Sequence, residues 1–130
     1  MATIKSFTDI SQSKTLSKIL PLESADGGWY GTNNPLAANT KFWLYTKYTE
    51  KAAFPAWSLA SLFNILPVII GDILSENTLR LRIDKGEFDF NIWYESLDTG
   101  MVEEGLDIIR NNPVDACYEM ILKLHKQNLI

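Results

Sequence analysis

The residue types best suited to nucleophilic catalysis in this chain are its single cysteine and its single histidine, Cys117 and His125. Both fall in the predicted last helix, eight residues apart, which separates them by about 12 Å along a helix axis. A Cys–His dyad needs hydrogen-bond distance, about 3 Å, so a continuous helix excludes it. We therefore interpret Cys117 as a small buried hydrophobic residue and His125 as a solvated or helix-capping residue.

Other kinds of chemical site find little support in the residue types and their spacing. One histidine and one cysteine cannot supply a zinc site of His and Cys ligands. The glycines of GGWYG (27–31) match neither phosphate-binding pattern, and the acidic stretch DKGEFDFN (84–91) lacks the spacing of a calcium-binding loop. We predict no catalytic residues, no cofactor and no metal ion. An enzyme built on paired carboxylates is the least favoured hypothesis, because nothing selects which two would act.

Acidic residues are concentrated in one segment of the chain. Residues 84–107 hold eight acidic residues and one basic residue, a local charge of −7, which leaves +3 for the rest of a chain of net charge −4. Such a ridge can steer a basic partner or mimic a nucleic-acid backbone, or it can be a solvated face followed by the acidic start of a short helix. The candidate ridge residues are Glu87, Asp89, Glu103 and Glu104.

Aromatic residues form the second notable group, with 15 Phe, Trp and Tyr in 130 residues. In the predicted strand 41–46, Trp43 and Tyr45 lie on the face opposite Phe42 and Leu44, and Trp93 lies opposite its apolar neighbours in a later strand. A sheet covered on one face by helices would leave some of these aromatics exposed as a partner-binding surface, unless loops or the first helix fold over them. The candidate residues are Trp43, Tyr45 and Trp93.

Direct nucleic-acid binding and membrane insertion are both disfavoured. A net charge of −4 does not neutralise phosphates, and Lys41, Lys47 and Lys51 are too few to accompany base stacking. Residues 52–71 are uncharged, but prolines bracket a shorter helix with a one-sided apolar stripe inside this segment. The first residues lack the apolar core of a signal peptide. We expect a cytoplasmic protein.

Local signals along the chain predict three helices and several strands. The first helix begins at Thr8 or Asp9 and runs to about Leu20, and a turn-rich segment with a short strand around Trp29 and Tyr30 follows. The remaining predicted elements are the strand 41–46, a helix from Pro55 to Pro67, a β-hairpin over 78–95 and a helix from Asn112 to about Gln127.

This order of elements predicts a single α+β domain over residues 1–130. Its antiparallel sheet has about four strands, including the 78–95 hairpin, and about three helices cover one face. The apolar segment 68–74 fits either a helical turn or a buried connector, and 98–112 fits either a helix or a loop. The pattern leaves both choices open.

Three blocks of sequence carry a resemblance to a family. They are FTDISQSKTLSKILPLESAD (7–26), PAWSLASLFNILP (55–67) and NPVDACYEMILKLHKQNLI (112–130), blocks of 20, 13 and 19 residues that cover 52 of the 130. They resemble a family of small uncharacterised proteins from gut bacteria of the Bacteroides group and from their phages and integrated elements. The resemblance implies a small intracellular protein of mobile-element origin. It implies no catalytic residue, cofactor or activity.

Two function hypotheses follow from the sequence. The first is a non-enzymatic module that binds a protein partner or a second copy of itself through the aromatic face of Trp43, Tyr45 and Trp93. The second is an acidic decoy that binds a basic or nucleic-acid-binding protein through the 84–107 ridge.

Overall fold

The computed structural model of the protein describes residues 5–31, 42–71 and 77–130. Within these ranges the chain forms three α-helices and two antiparallel sheets, of three and four strands, which confirms the α+β class. The strands thus lie in two sheets, whereas the sequence predicted one sheet of about four. The described residues group into two compact units, an N-terminal unit (Lys5–Ser61) and a C-terminal unit (Leu62–Ile130).

The N-terminal unit packs one helix on a small sheet. Asp9 caps the helix through a capping box, in which Gln12 N–H donates to Asp9 Oδ1 (2.8 Å) and Asp9 N–H donates to Gln12 Oε1 (3.1 Å). The helix ends three residues earlier than predicted. The elements are α1 (Ile10–Ser17), β1 (Gly27–Gly31), β2 (Phe42–Tyr45) and β3 (Phe54–Ala56). The sheet order is β2-β1-β3, all antiparallel.

The glycines predicted to make turns around Trp29 instead lie inside β1. β2 matches the predicted strand except at its ends, because Lys41 lies outside the described residues and Thr46 lies in a bend after the strand. The sequence could not show that β1 would become the central strand, because that position depends on two partners far along the chain.

The prediction that Pro55 opens the second helix is wrong. Pro55 is buried in β3, and α2 (Leu59–Ile65) begins after Ser58, whose Oγ accepts from Ser61 N–H at 3.2 Å. An edge strand tolerates proline because its outward N–H is not needed for the sheet. The helix ends before Pro67, as predicted.

The C-terminal unit contains an antiparallel four-stranded sheet whose strands follow one another in chain order. The predicted hairpin is confirmed, with Lys85 opposite Phe90 and residues 86–89 between the strands. Part of the 68–74 segment is a strand, and residues 72–76 lie outside the described residues. The elements are β4 (Ile69–Ile70), β5 (Leu79–Lys85), β6 (Phe90–Ser96), β7 (Val102–Arg110) and α3 (Pro113–Lys126).

Segment 98–112 is neither a helix nor a loop, because most of it is β7. The side chains of Leu106 and Ile108, two residues apart in β7, are buried in the core. The pairing register between β6 and β7 shifts near Gly105, whose φ is +83°. This bulge breaks the alternation that would otherwise mark a strand in the sequence.

The last helix forms as predicted and covers one face of the sheet. Asn112 Oδ1 accepts from Val114 N–H at 2.8 Å, and Pro113 occupies the first turn. α3 packs against β6 and β7. The apolar stripe of Val114, Cys117, Ile121 and Leu124 on this helix is fully buried.

In the three described ranges, none of the helices combines the length and the apolar character needed to cross a membrane.

Candidate functional site

The exposed aromatic side chains of β2 are the main candidate site. The paired residues Trp43 and Tyr30 lie on one face of the sheet, together with Tyr45, which lies opposite Gly28. Trp43 is 42% exposed and Tyr45 is 55% exposed, whereas Phe42 and Leu44 are half-buried. This confirms the alternation predicted for the strand. We call Tyr30, Trp43 and Tyr45 the aromatic face.

α1 covers the opposite face of the same sheet. The ring centroids of Phe42 and Phe54 lie 5.7 Å apart, and Lys14 Nζ of α1 lies 4.8 Å from the centroid of the Phe54 ring. On this side the Trp29 indole N–H donates to the Thr8 carbonyl at 3.0 Å. The helix therefore covers the side away from Trp43 and Tyr45.

The segment between β2 and β3 holds the Tyr30 side chain in place. The hydroxyl oxygen of Tyr30 accepts from Thr49 N–H (3.1 Å) and lies 2.7 Å from Thr49 Oγ1. The Tyr30 and Tyr45 rings meet edge to face, with centroids 5.1 Å apart. A Cβ at Gly28 would lie 2.9 Å from Ala52 Cβ and 3.1 Å from the Tyr30 ring, so glycine permits this close packing. No local pattern distinguishes Tyr30, since the neighbours of its side chain depend on the pairing of β1 with β2.

One side of the β2 backbone has no neighbouring strand in the described part of the chain. A Cβ at Gly27 would lie 2.9 Å from the Tyr45 carbonyl oxygen, so this carbonyl points towards β1. The Trp29 carbonyl accepts from Ala53 N–H (2.8 Å) and so points towards β3. Because successive residues of a strand point their N–H and C=O groups to opposite sides, the groups of Phe42 and Leu44 point away from β1. Among the described residues, no strand lies on that side of β2.

Trp93, the third predicted aromatic, lies in β6 of the other sheet. It is half-buried between Arg82 of β5 and Asp107 of β7. Close by, Glu95 Oε1 forms ion pairs with Arg80 and Arg82, both at 3.1 Å. Trp93 therefore has charged neighbours and does not belong to the aromatic face.

The predicted acidic ridge separates into two pairs. Glu87 and Asp89 lie in the turn between β5 and β6. Glu103 and Glu104 lie in the bulge of β7, beyond Val102, which is opposite Glu95. The six residues of β6 from Phe90 to Glu95 span about 17 Å. All four residues are exposed.

The groups with nucleophilic potential are held apart, as the sequence predicted. Cys117 is fully buried and His125 is exposed on the same continuous helix. Burial raises the pKa of the Cys117 thiol to about 12. Burial, and to a smaller degree the nearby Cys117, also raises the pKa of Tyr94, whose hydroxyl donates to the Pro67 carbonyl at 2.7 Å. Neither group is poised to react.

Metal binding has no candidate in the described ranges, where no three or more His, Cys, Asp or Glu side chains are grouped to hold an ion. Comparison of the chain with protein-family models, with curated proteins and with solved structures finds no match. The interpretation of the site therefore depends on its geometry alone.

Proposed function

We propose that this chain is a protein-interaction module that binds a protein partner, or a second copy of itself, through the aromatic face. The observation that carries the proposal is the exposure of Trp43 and Tyr45 side by side on an edge strand. We include in the proposal the cytoplasmic location expected from the sequence and the mobile-element origin that the family resemblance implies.

The residue types of the aromatic face are those that contribute most to protein interfaces. Trp and Tyr bury a large area with few rotatable bonds, and both are enriched among the residues that dominate binding energy. Tyr45 is also held in position, because its ring contacts Tyr30, which is hydrogen-bonded at its hydroxyl. Fixing the rings before binding lowers the entropy cost of association.

The proposal is tested by affinity capture with the full chain. Wild-type protein, a W43S/Y45S double variant and an F88S control are immobilised and exposed to a lysate of the cells that produce the protein. Captured proteins are identified by mass spectrometry. Phe88 is a matched control because it is an apolar side chain 83% exposed in the C-terminal unit.

We expect the double variant to lose its partner, or its self-association, by at least about tenfold in affinity, since two aromatic contacts are removed. The F88S control should bind as the wild type does. Equal binding by the double variant would refute the proposal. So would a wild-type chain that neither captures a protein nor associates with itself.

A further inference from the structure

We infer that the partner of β2 is a second copy of this chain, and that the two β2 strands pair antiparallel to form one continuous six-stranded sheet. This inference rests on the proposed function and specifies its partner. It is carried by three observations: the contrast between the sheet edges, the direction of the β2 backbone groups, and the positions of the aromatic side chains.

The four sheet edges in the described residues differ in their protection against pairing. β3 contains Pro55, and β4 has only two residues. β7 has a bulge at Gly105 and two adjacent glutamates there. Proline, short length, bulges and charges are the features that keep an edge strand from pairing. β2, whose sequence is FWLY, has no proline, bulge or charged residue within its four residues.

The backbone geometry of β2 selects the register of the proposed pair. Phe42 and Leu44 present their N–H and C=O groups at this edge. A two-fold axis through Leu44 pairs Leu44 with Leu44 of the second copy, and it places Phe42 opposite Thr46 of the second copy, which follows β2 in a bend. In the proposed pair the strand extends by this one residue, so that the Thr46 N–H donates to the Phe42 carbonyl of the second copy.

The same register brings the exposed aromatics together. Trp43 of one copy lies directly opposite Tyr45 of the other, and the two-fold axis repeats this contact. Both pairs are non-hydrogen-bonded positions, where opposite Cα atoms are about 4.5 Å apart and side chains contact each other most closely. The two aromatic faces then merge into one surface.

Charge opposes the association of two N-terminal units only weakly, because each unit has a small net positive charge that salt screens. Residues 5–61 contain six lysines and four acidic residues, a net charge of +2, and β2 itself is uncharged. The acidic segment 84–107 lies in the C-terminal unit. An identical strand therefore meets both the hydrogen-bonding pattern and the apolar character of this edge.

The first test is the oligomeric state of the full chain by sedimentation velocity, over about 1 to about 300 μM, a range in which an interface of modest size is detected. We expect the wild type to form a dimer. A T46P variant should weaken the dimer about tenfold or more, because it removes two symmetry-related intermolecular N–H donors. Thr46 is exposed and lies just after β2, so the fold should tolerate the change. F88S is again the control.

The second test uses disulfide formation and does not depend on the T46P variant. W43C and Y45C variants are mixed with oxidised glutathione as the oxidant. The proposed register places these two cysteines on opposite strands with Cα atoms within disulfide range. We expect a covalent heterodimer from the mixture and little from either variant alone. Wild-type protein is the blank, because its only cysteine, Cys117, is buried.

The outcomes separate this inference from the proposed function. A wild-type monomer at every concentration overturns the inference, whereas capture of another protein that depends on Trp43 and Tyr45 would still support the proposed function. A dimer that is unchanged in T46P and gives no heterodimer disulfide also overturns it. If W43S/Y45S retains every association, both fail.

Discussion

Thr8 connects three parts of the N-terminal unit at the scale of a single side chain. It is fully buried, its Oγ1 accepts from Trp57 N–H at 3.1 Å, and the same Oγ1 lies 2.8 Å from Ser13 Oγ of α1. Its carbonyl accepts from the indole of Trp29. The sequence marked Thr8 only as a possible helix cap. Its role depends on residues that lie 21 and 49 positions further along the chain.

Thr8→Val should lower the free energy of unfolding by about 1–3 kcal/mol, because it leaves the buried Trp57 N–H without its acceptor. Thr15→Val is the matched control, since Thr15 Oγ1 donates only to the exposed Ser11 carbonyl. It should change the stability by less than about 0.5 kcal/mol. Urea denaturation followed by tryptophan fluorescence measures both. Equal effects of the two substitutions would contradict the assigned role of Thr8.

Cys117 makes stability depend on pH in the alkaline range. The thiol pKa rises from 9.0 to about 12 on folding, so between these values the unfolded chain has lost a proton that the folded chain keeps. The free energy of unfolding should therefore fall as pH rises from about 9, with a slope of up to about 1.4 kcal/mol per pH unit.

Cys117→Ala should make that slope shallower above pH 9, whatever its effect on stability at pH 7. Denaturant titrations of both proteins at a series of pH values measure the two slopes. An unchanged slope would show that the thiol does not account for the pH dependence.

At the scale of secondary-structure elements, local sequence patterns predicted some elements well and others poorly. α3 and the β5–β6 hairpin have their caps, turn and apolar alternation within the same stretch of chain. β3 and β7 do not, because Pro55 also suits a helix start and the bulge at Gly105 interrupts the alternation of β7. Their pairing with distant strands decides their conformation.

Gly28→Val should destabilise the N-terminal unit by about 1–3 kcal/mol, because its Cβ would press against Ala52 and the Tyr30 ring. Ala53→Val is the control, since Ala53 is exposed beside the same loop. Thermal melting followed by circular dichroism measures the difference. A loss of stability that is no larger for Gly28→Val than for the control would argue against this close packing.

At the scale of the whole molecule, the distribution of charge separates the two kinds of surface. The aromatic face lies in a unit of small net charge, and the four candidate acidic residues lie in the other unit at two separate places. An interface on β2 therefore depends on apolar and backbone contacts, which salt screens little.

The association of the chain should accordingly change less than about twofold in dissociation constant between about 50 and about 500 mM sodium chloride. Binding through Glu87, Asp89, Glu103 and Glu104 would instead weaken steeply with salt, because charge pairs on exposed residues are screened. Sedimentation velocity or calorimetry at several salt concentrations measures the dependence. A loss of more than about tenfold would favour the acidic residues over the aromatic face.

The sequence by itself determined the properties that depend on neighbouring residues. These include the caps and apolar stripe of α3, the hairpin, the separation of Cys117 from His125, and the alternation that sets Trp43 and Tyr45 apart from Phe42 and Leu44. Each is fixed by helix or strand geometry within one segment.

Only the tertiary structure decided which strands are edges, which sheet face α1 covers, and that Trp93 lies in a different sheet from Trp43. It also separated Glu87 and Asp89 from Glu103 and Glu104. These properties depend on strand pairing between residues that are distant in the chain, and no local pattern of side chains encodes that pairing.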